Sequence, residues 1–338
     1  MKIYTIRDIA QMAGVSVTTV SRVLNNRPDV SKGTQDRVRE VIAQCHFVGN
    51  ANARGLKQAE SDLVAVIIRG RRNPFLNELA EAMLQYAGDG RATFVTEYID
   101  EQADEFYRAR TLIGERRVAG VIFVGSRIDE RCRVLEDVGI PMLFATVSAE
   151  GTVMARASSV SIDDERMARE AVSALLDRGH RRIAVFGGNR EGKDSLALRA
   201  LGAREALEAR GLALDDACYV ETRLTLPDAH AAALDFFRRR PDVDAAFCMS
   251  DTAAMGVIRA LHDLGRAVPG DVSVLGVDGV DVDEYLTPRL STIAQPVQEI
   301  ARQSVEVLRD MMERGAPARH VTVGAELILR ESVREGRL

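Results

Sequence analysis

The chain has 338 residues, 46% hydrophobic and 28% charged, with a formal net charge of −5. That length predicts two or three globular domains. No run of about 18 apolar residues occurs, so no membrane span is expected. The first eight residues lack the apolar stretch of an export signal, which predicts a cytoplasmic protein. The four cysteines, Cys45, Cys132, Cys218 and Cys248, are far apart and form no C-x-x-C pair. They predict free thiols rather than a zinc site or a disulfide framework.

Charge is unevenly distributed. Residues 1–60 carry nine Lys and Arg against five Asp and Glu, and the remainder carries 36 against 45. A small basic head on an acidic body is the asymmetry of a tethered nucleic-acid-binding module. In the head, Ile6, Ile9, Ala10 and Ala13 form one apolar stripe ended by Gly14. Ser16 can cap a second helix with stripe Val20, Val23 and Leu24, broken by Asn25–Pro28. Ser31 can cap a third with Val38, Val41, Ile42 and Cys45. Residues 47–61 read as a linker with one marginal helix around 51–57, too short to be stable alone.

From Leu63 onward, β-rich runs alternate with helical stretches. The runs are 63–68, 92–95, 120–124, 141–145, 182–186, 245–249 and 272–277; the helical stretches are 75–87, 102–114, 164–178, 197–209, 228–239 and 252–264. This alternation predicts doubly wound parallel sheets with helices on both faces. A break near Ser148–Ser159 suggests two similar lobes. Ligands of such sheets bind at the carboxyl ends of the strands, which makes the cleft between lobes the default site.

The segment Thr5–Asn25, TIRDIAQMAGVSVTTVSRVLN, combines a helix, a glycine-containing turn and a second helix. Val17, Thr18, Ser21 and Arg22 project away from its apolar stripe. Their chemistry suits base edges in the major groove. Thr5, Thr19, Asn25 and Ser31 suit phosphate contacts, which position the protein without specifying sequence. With Val30-Ser31, the third helix and Asn50-x-x-Ala53-Arg54-x-Leu56, the string resembles the lactose-repressor (LacI/GalR) family of bacterial transcription regulators. The resemblance covers nearly the whole chain. It implies a helix-turn-helix DNA-binding domain (1–46), a linker and hinge helix (47–61), and an effector-binding and dimerisation core (62–338) built like periplasmic sugar-binding proteins. Lobe 1 is expected at about 62–158 and 293–318, lobe 2 at about 159–292 and 319–338. The resemblance also implies that Ser16, Asn50, Ala53 and Leu56 belong to the DNA-binding set, with Leu56 wedging into the minor groove of the operator. The sequence departs from the family at Phe47, usually tyrosine, and at Gly49, usually proline, which predicts a floppier hinge.

Core motifs supply candidate effector contacts. Gly187–Ser195 nearly matches the phosphate loop G-x-x-x-x-G-K-[ST], but Asp194 stands where the metal-binding hydroxyl is required, which argues against nucleotide hydrolysis. The resemblance implies instead that Arg199 holds an effector; a guanidinium fork suits vicinal hydroxyls or a carboxylate. It also points to Asn73 and Phe75 in Asn73-Pro74-Phe75, to Thr146, to Ser250 and Asp251, to Asp278 in Gly276–Gly279, and to Gln295. Arg71, Lys193 and Ser195 complete the candidate set. Taken singly, each position is equally well explained as a cap or strand end. Together they form a kit for a sugar or polyol rather than a purine, and Lys193 leaves a phosphorylated or acidic sugar open. There is no G-x-S-x-G or H-E-x-x-H, and His180 reads as structural. The expected protein is a homodimeric, sugar-responsive repressor that binds a pseudo-palindromic operator. It is expected to be neither enzyme nor membrane protein and to need no cofactor. A purine- or sugar-phosphate-responsive regulator and a sugar-binding transport protein are the alternatives.

Overall fold

The computed structural model describes residues 5–24, 30–45, 63–88, 92–116, 118–154, 156–191 and 194–336. The head has three helices, α1 (Ile6–Ala13), α2 (Val17–Leu24) and α3 (Lys32–Gln44). A reciprocal capping box starts α1: Thr5 Oγ1 accepts from Asp8 N at 3.3 Å, while Thr5 N donates to Asp8 Oδ2 at 2.7 Å. Gly14 ends it in the left-handed region, φ 63°, where a side chain would be strained. Ser16 caps α2 by accepting from Thr19 N at 3.1 Å. Ile9, Ala10, Ala13, Val20, Val23 and Val38 close a core of their own.

The body comprises two six-stranded sheets. The first, in order β11-β5-β4-β3-β1-β2, consists of β1 (Leu63–Arg69), β2 (Thr93–Ile99), β3 (Gly120–Val124), β4 (Met142–Ala145), β5 (Ser158–Ile162) and β11 (His320–Val323). The second, in order β12-β10-β9-β8-β6-β7, consists of β6 (Ile183–Gly187), β7 (Tyr219–Glu221), β8 (Ala245–Cys248), β9 (Ser273–Asp278), β10 (Ser291–Ala294) and β12 (Glu326–Ile328). All described pairings are parallel except β10 with β12. This is the doubly wound, two-lobed architecture that the alternating pattern predicts.

Helices cover both faces of each sheet. In lobe 1, α5 (Glu105–Arg116) packs Phe106 over the stacked rings of Phe123 and Phe144, whose centroids are 4.8 Å apart. The opposite face carries α4 (Pro74–Ala87) and α10 (Val297–Arg314). In lobe 2, α8 (Leu226–Arg239) and α9 (Asp251–Asp263) enclose Phe186, Phe236 and Phe237, and α6 (Asp164–Asp177) and α7 (Ser195–Glu208) cover the other face. A Cβ at Gly202 in α7 would overlap the Glu165 carbonyl oxygen. Glycine there lets α7 lie against α6, which brings Arg199 to Asp164.

The chain passes between the lobes near 163, 295 and 324, as the strand order requires. These points differ from the expected boundaries. β5 and β11 belong to the first sheet, so residues 159–162 and 320–323 lie in lobe 1 rather than lobe 2. β10 belongs wholly to the second sheet, which moves Ile293 and Ala294 into lobe 2. The Ser148–Ser159 break is therefore not the lobe boundary. Serine-rich β5 is fully buried because its hydroxyls find partners: Ser158 Oγ accepts from Arg319 N at 3.0 Å, and Ser159 Oγ lies 2.8 Å from His320 Nδ1. Among the described residues, no helix is long and apolar enough to cross a membrane.

Candidate functional site

Two surfaces carry the candidate residues. On the head, the start of α2 presents Val17, 41% exposed, together with exposed Thr18 and Arg22. Val20 and Val23, on the opposite side, are buried. The helix phase thus turns toward solvent the residues suited to base edges. The hydroxyls of Thr5, Ser16, Thr19 and Ser31 take part in local bonds at helix starts: Ser16 Oγ lies 2.8 Å from Thr19 Oγ1, and Ser31 Oγ 2.9 Å from Thr34 Oγ1. The Ser21 side chain and all of Asn25, Asn50, Ala53 and Leu56 lie outside the described residues, as do Phe47, Gly49 and Lys193.

The second surface is a cavity of about 580 Å3 between the lobes. Its walls are segments that follow parallel strands, where loops and helix N-termini converge. Eight expected residues line it: Asn73, Phe75, Thr146, Ser195, Arg199, Ser250, Asp278 and Gln295. Asn73 follows β1 and caps α4, accepting from Leu76 N at 3.3 Å, with Pro74 beginning the helix. Ser250 follows β8 and caps α9, accepting from Ala253 N at 3.1 Å. Thr146 and Asp278, at the ends of β4 and β9, are the two described non-glycine residues with positive φ, 76° and 131°. Strain of this kind persists where surrounding structure enforces it, and here both instances face the cavity.

Arg199 is only 6% exposed. Its Nε donates to Asp164 Oδ1 at 2.7 Å and its Nη1 to the Met249 carbonyl at 2.6 Å. Burial pushes the Asp164 carboxyl upward, and Arg199 opposes that shift. Asp278 accepts from Gln295 Nε2 at 2.9 Å. Burial first, then the nearby Asp251 charge, hold Asp278 well above the ordinary carboxylate range. Raised in this way, the carboxyl binds a proton more readily than an ordinary aspartate, and in that form it can donate as well as accept. Gln295 Oε1 is a buried acceptor without a donor among the described residues.

Two expected residues are not in the cavity wall. Arg71 is exposed on the turn after β1; its neighbours Arg69 and Arg72 line the cavity instead. Asp251 is fully buried. It accepts from Thr292 Oγ1 at 2.7 Å, Gly279 N at 2.6 Å and Val280 N at 3.2 Å. Being the first residue of α9, it turns into the core while Ser250, one position earlier, borders the cavity. It anchors the loop after Asp278.

Sequence reasoning missed Ser126 and Arg127 after β3, Glu101 after β2, and Arg223 after β7. The strand-end rule already used for Asn73 would have marked Ser126 and Arg127. Arg223 follows a three-residue strand with no apolar signal. Four cavity arginines are engaged by carboxylates: Arg199 by Asp164, Arg69 by buried Glu105 at 3.6 Å, Arg127 by Asp194 at 2.9 Å, and Arg223 by Glu101 at 3.2 Å. Arg72 makes no ion pair among the described residues. Asp194 also caps α7, accepting from Ala197 N at 3.0 Å, so a carboxylate occupies the helix start that a phosphate loop would leave for phosphate. His180 is fully buried 3.4 Å from Asp244, as a structural histidine should be. Among the described residues, no His, Cys, Asp and Glu cluster could hold a metal ion.

Two family profiles match the chain. The profile "Bacterial regulatory proteins, lacI family" matches residues 5–50, and "Periplasmic binding protein-like domain" matches 172–333. The chain is 31% identical to the HTH-type transcriptional regulator MalR of Clostridium butyricum, over 97% of this chain and 98% of that protein. It is 28% identical to the HTH-type transcriptional repressor PurR of Vibrio vulnificus, over 98% and 99%. Among solved structures it resembles a complex of the transcriptional regulator CelR with cellobiose, with TM-score 0.75, 28% identity, and coverage of 97% and 99%. With its helix-turn-helix head and two-lobed core, the chain belongs to the lacI family of bacterial regulatory proteins and is a DNA-binding transcriptional regulator.

Proposed function

We propose that this regulator is a cytoplasmic, homodimeric repressor whose inter-lobe cavity binds a neutral sugar. The observation that carries this reading is the charge state of the cavity. Four of its five described arginines are already engaged by carboxylates, and burial pushes its deepest acid, Asp278, toward the protonated form. Among the described residues, an added carboxylate or phosphate finds one cation outside an ion pair, Arg72 at the exposed turn, and must otherwise compete with internal ion pairs. Hydroxyl groups need only the hydrogen-bonding sites offered by Arg199, Asp278, Gln295, Ser250 and Asn73. Phe75, Leu196 and Met249 supply apolar wall for the faces of a sugar ring. MalR, PurR and the cellobiose complex of CelR support the class of function, and the ring of polar groups around an apolar wall suits a ligand rich in hydroxyls. No catalytic role is proposed for any residue.

A thermal-shift panel of neutral sugars, sugar acids, sugar phosphates and purines tests this reading. A ligand at about 100 times its Kd adds roughly 2.7 kcal/mol of stability. A selective shift with a neutral mono- or disaccharide is expected. A shift confined to anionic sugars or to purines would overturn it.

Two heads in a dimer would read the half-sites of a pseudo-palindrome, with the hinge residues around Leu56 ordering on DNA. Specific binding should fall steeply with salt, because phosphate contacts release counterions. Exchanging Val17 and Thr18 for a different pair should change the half-site recovered by in vitro selection, each lost base contact costing about 1–3 kcal/mol of discrimination. Recovery of the same half-site would show that α2 does not read those bases.

A further inference from the structure

Two ion pairs span the cavity from lobe to lobe, and the proposed sugar contacts use neither. Arg127, after β3 in lobe 1, places Nε 2.9 Å from Asp194 Oδ2 at the start of α7 in lobe 2. Arg223, after β7 in lobe 2, donates from Nη2 to Glu101 Oε2, after β2 in lobe 1, at 3.2 Å. The three crossovers leave and enter strands at one edge of the sheets, β5 and β11 in lobe 1 and β10 and β12 in lobe 2. β2 and β7 form the opposite edges. A lobe that swings about the crossovers moves most at that far side, so the Glu101–Arg223 pair has the longest lever against opening.

Each partner is braced within its own lobe. Glu105, fully buried at the start of α5, accepts from Arg127 N at 3.2 Å and faces Arg69 Nε at 3.6 Å. Arg69 in turn donates to the Glu101 carbonyl. One buried ion pair thus positions both lobe 1 members. In lobe 2, Asp194 is held by its cap bond to Ala197 N, and Arg223 Nε lies 4.0 Å from Asp228 Oδ2. Groups already held in place lose little further freedom on pairing. Asp194 is also 90% withdrawn from solvent, so its pair is screened less than an open surface pair. Deeper in the cleft, a neutral bond from Ser195 Oγ to the Thr146 carbonyl, 3.0 Å, also joins the lobes.

We infer that Arg127–Asp194 and Glu101–Arg223 form a clasp across the cleft that holds the lobes together through the chain's own charges, so that closure responds to ionic strength as well as to ligand. Its consequence for effector entry rests on the sugar-site reading above. Its effect on lobe separation does not, and can be measured with no effector present.

The test is a distance measurement by double electron–electron resonance on the full-length chain. Spin labels are attached at Glu115→Cys on α5 and Ala231→Cys on α8, both exposed, after Cys45→Ser, and labelled chain is diluted with unlabelled chain so that only intrachain distances are read. At low salt, near 50 mM, one short lobe-to-lobe distance is expected; a longer one should grow as salt is raised about tenfold and the Debye length shrinks. The Arg127→Gln/Arg223→Gln variant should raise the open-to-closed ratio about tenfold at low salt, the combined effect of two partly screened pairs, and should lose most of the salt response. Arg166→Gln breaks a pair with Glu170 within α6 and should leave the distances unchanged. If the double variant is poorly folded by circular dichroism, Arg223→Gln alone, at a half-exposed loop position, should give a smaller shift in the same direction. Distances that match wild type in the Arg127→Gln/Arg223→Gln and Arg223→Gln variants, or a salt response of the double variant equal to that of wild type, would overturn the clasp.

Discussion

Replacing Arg199 with alanine should destabilise the core by about 3–5 kcal/mol, the cost of leaving a buried carboxylate without its partner. Arg199 and Asp164 are both withdrawn from solvent and 2.7 Å apart, and the Met249 carbonyl loses its donor too. The loss should depend on pH. Without Arg199, burial raises the Asp164 carboxyl further. A raised carboxyl contributes stability that is fully present below its unfolded value and is lost as pH rises through its folded value. The gap between variant and wild type should therefore narrow toward pH 4 and widen toward pH 8 in urea titrations. An Arg199→Ala/Asp164→Ala double variant should recover much of the loss, because no charge is left stranded. Below its melting temperature, Arg199→Ala should still bind operator, since the head closes its own core, but should no longer respond to the sugar. Wild-type stability with normal induction would show that the pair is neither structural nor part of the effector site.

Asp251→Ala should cost roughly 3–4 kcal/mol, because it strands the backbone N–H groups of Gly279 and Val280 and the Thr292 hydroxyl in a dry interior. The family resemblance makes Asp251 an effector contact; its geometry makes it the anchor of the loop behind Asp278. A variant of wild-type stability that loses only the ligand response would favour the contact role. The neighbouring Asp283 refines the test. It is fully buried, and no donor among the described residues reaches either of its oxygens. Burial, then the Asp251 charge, push it up to about 9. Three donors converge on Asp251 and none among the described residues reaches Asp283, which favours the proton of the pair on Asp283. The stability that this proton supports is complete below the ordinary carboxyl value near 4 and declines as pH rises toward 9. Asp283→Asn keeps a donor there without titrating. It should gain on wild type by about 4 kcal/mol between pH 5 and pH 8, roughly 1.4 kcal/mol per pH unit. A difference that is constant with pH would place the proton elsewhere.

Much of this protein was legible because the relevant signals are local. Gly14 and Ser16 mark helix ends through caps that span three or four residues. The apolar phase of α2 decides that Val17, Thr18 and Arg22 face out. The runs at β1, β3 and β6 are continuous Val, Ile and Phe segments that only a strand buried on both faces can use. β5 and β10 were not legible. Ser158–Ile162 and Ser291–Ala294 look like loops, yet nearly all of their residues are buried, because Arg319 N and Arg330 N arrive from distant segments to satisfy Ser158 Oγ and Ser291 Oγ. α10 was missed with them, and the three crossovers, expected near 158, 293 and 319, fall a few residues later, near 163, 295 and 324.

The effector cleft shows the same division. The strand pattern pointed to the carboxyl ends of the strands, and the family resemblance supplied Asn73, Thr146, Arg199, Ser250, Asp278 and Gln295 as the residues there. The sequence could not separate Ser250 from Asp251, because one step of helix phase sends one side chain to the cavity and the next into the core. Nor could it determine the cavity's charge, on which the choice between a neutral and an acidic effector turns. Arg199 is neutralised by a residue 35 positions away and Arg223 by one 122 positions away. Such pairs form only when α7 settles on α6 and the two lobes meet, so the tertiary structure decided which charges remained available to a ligand.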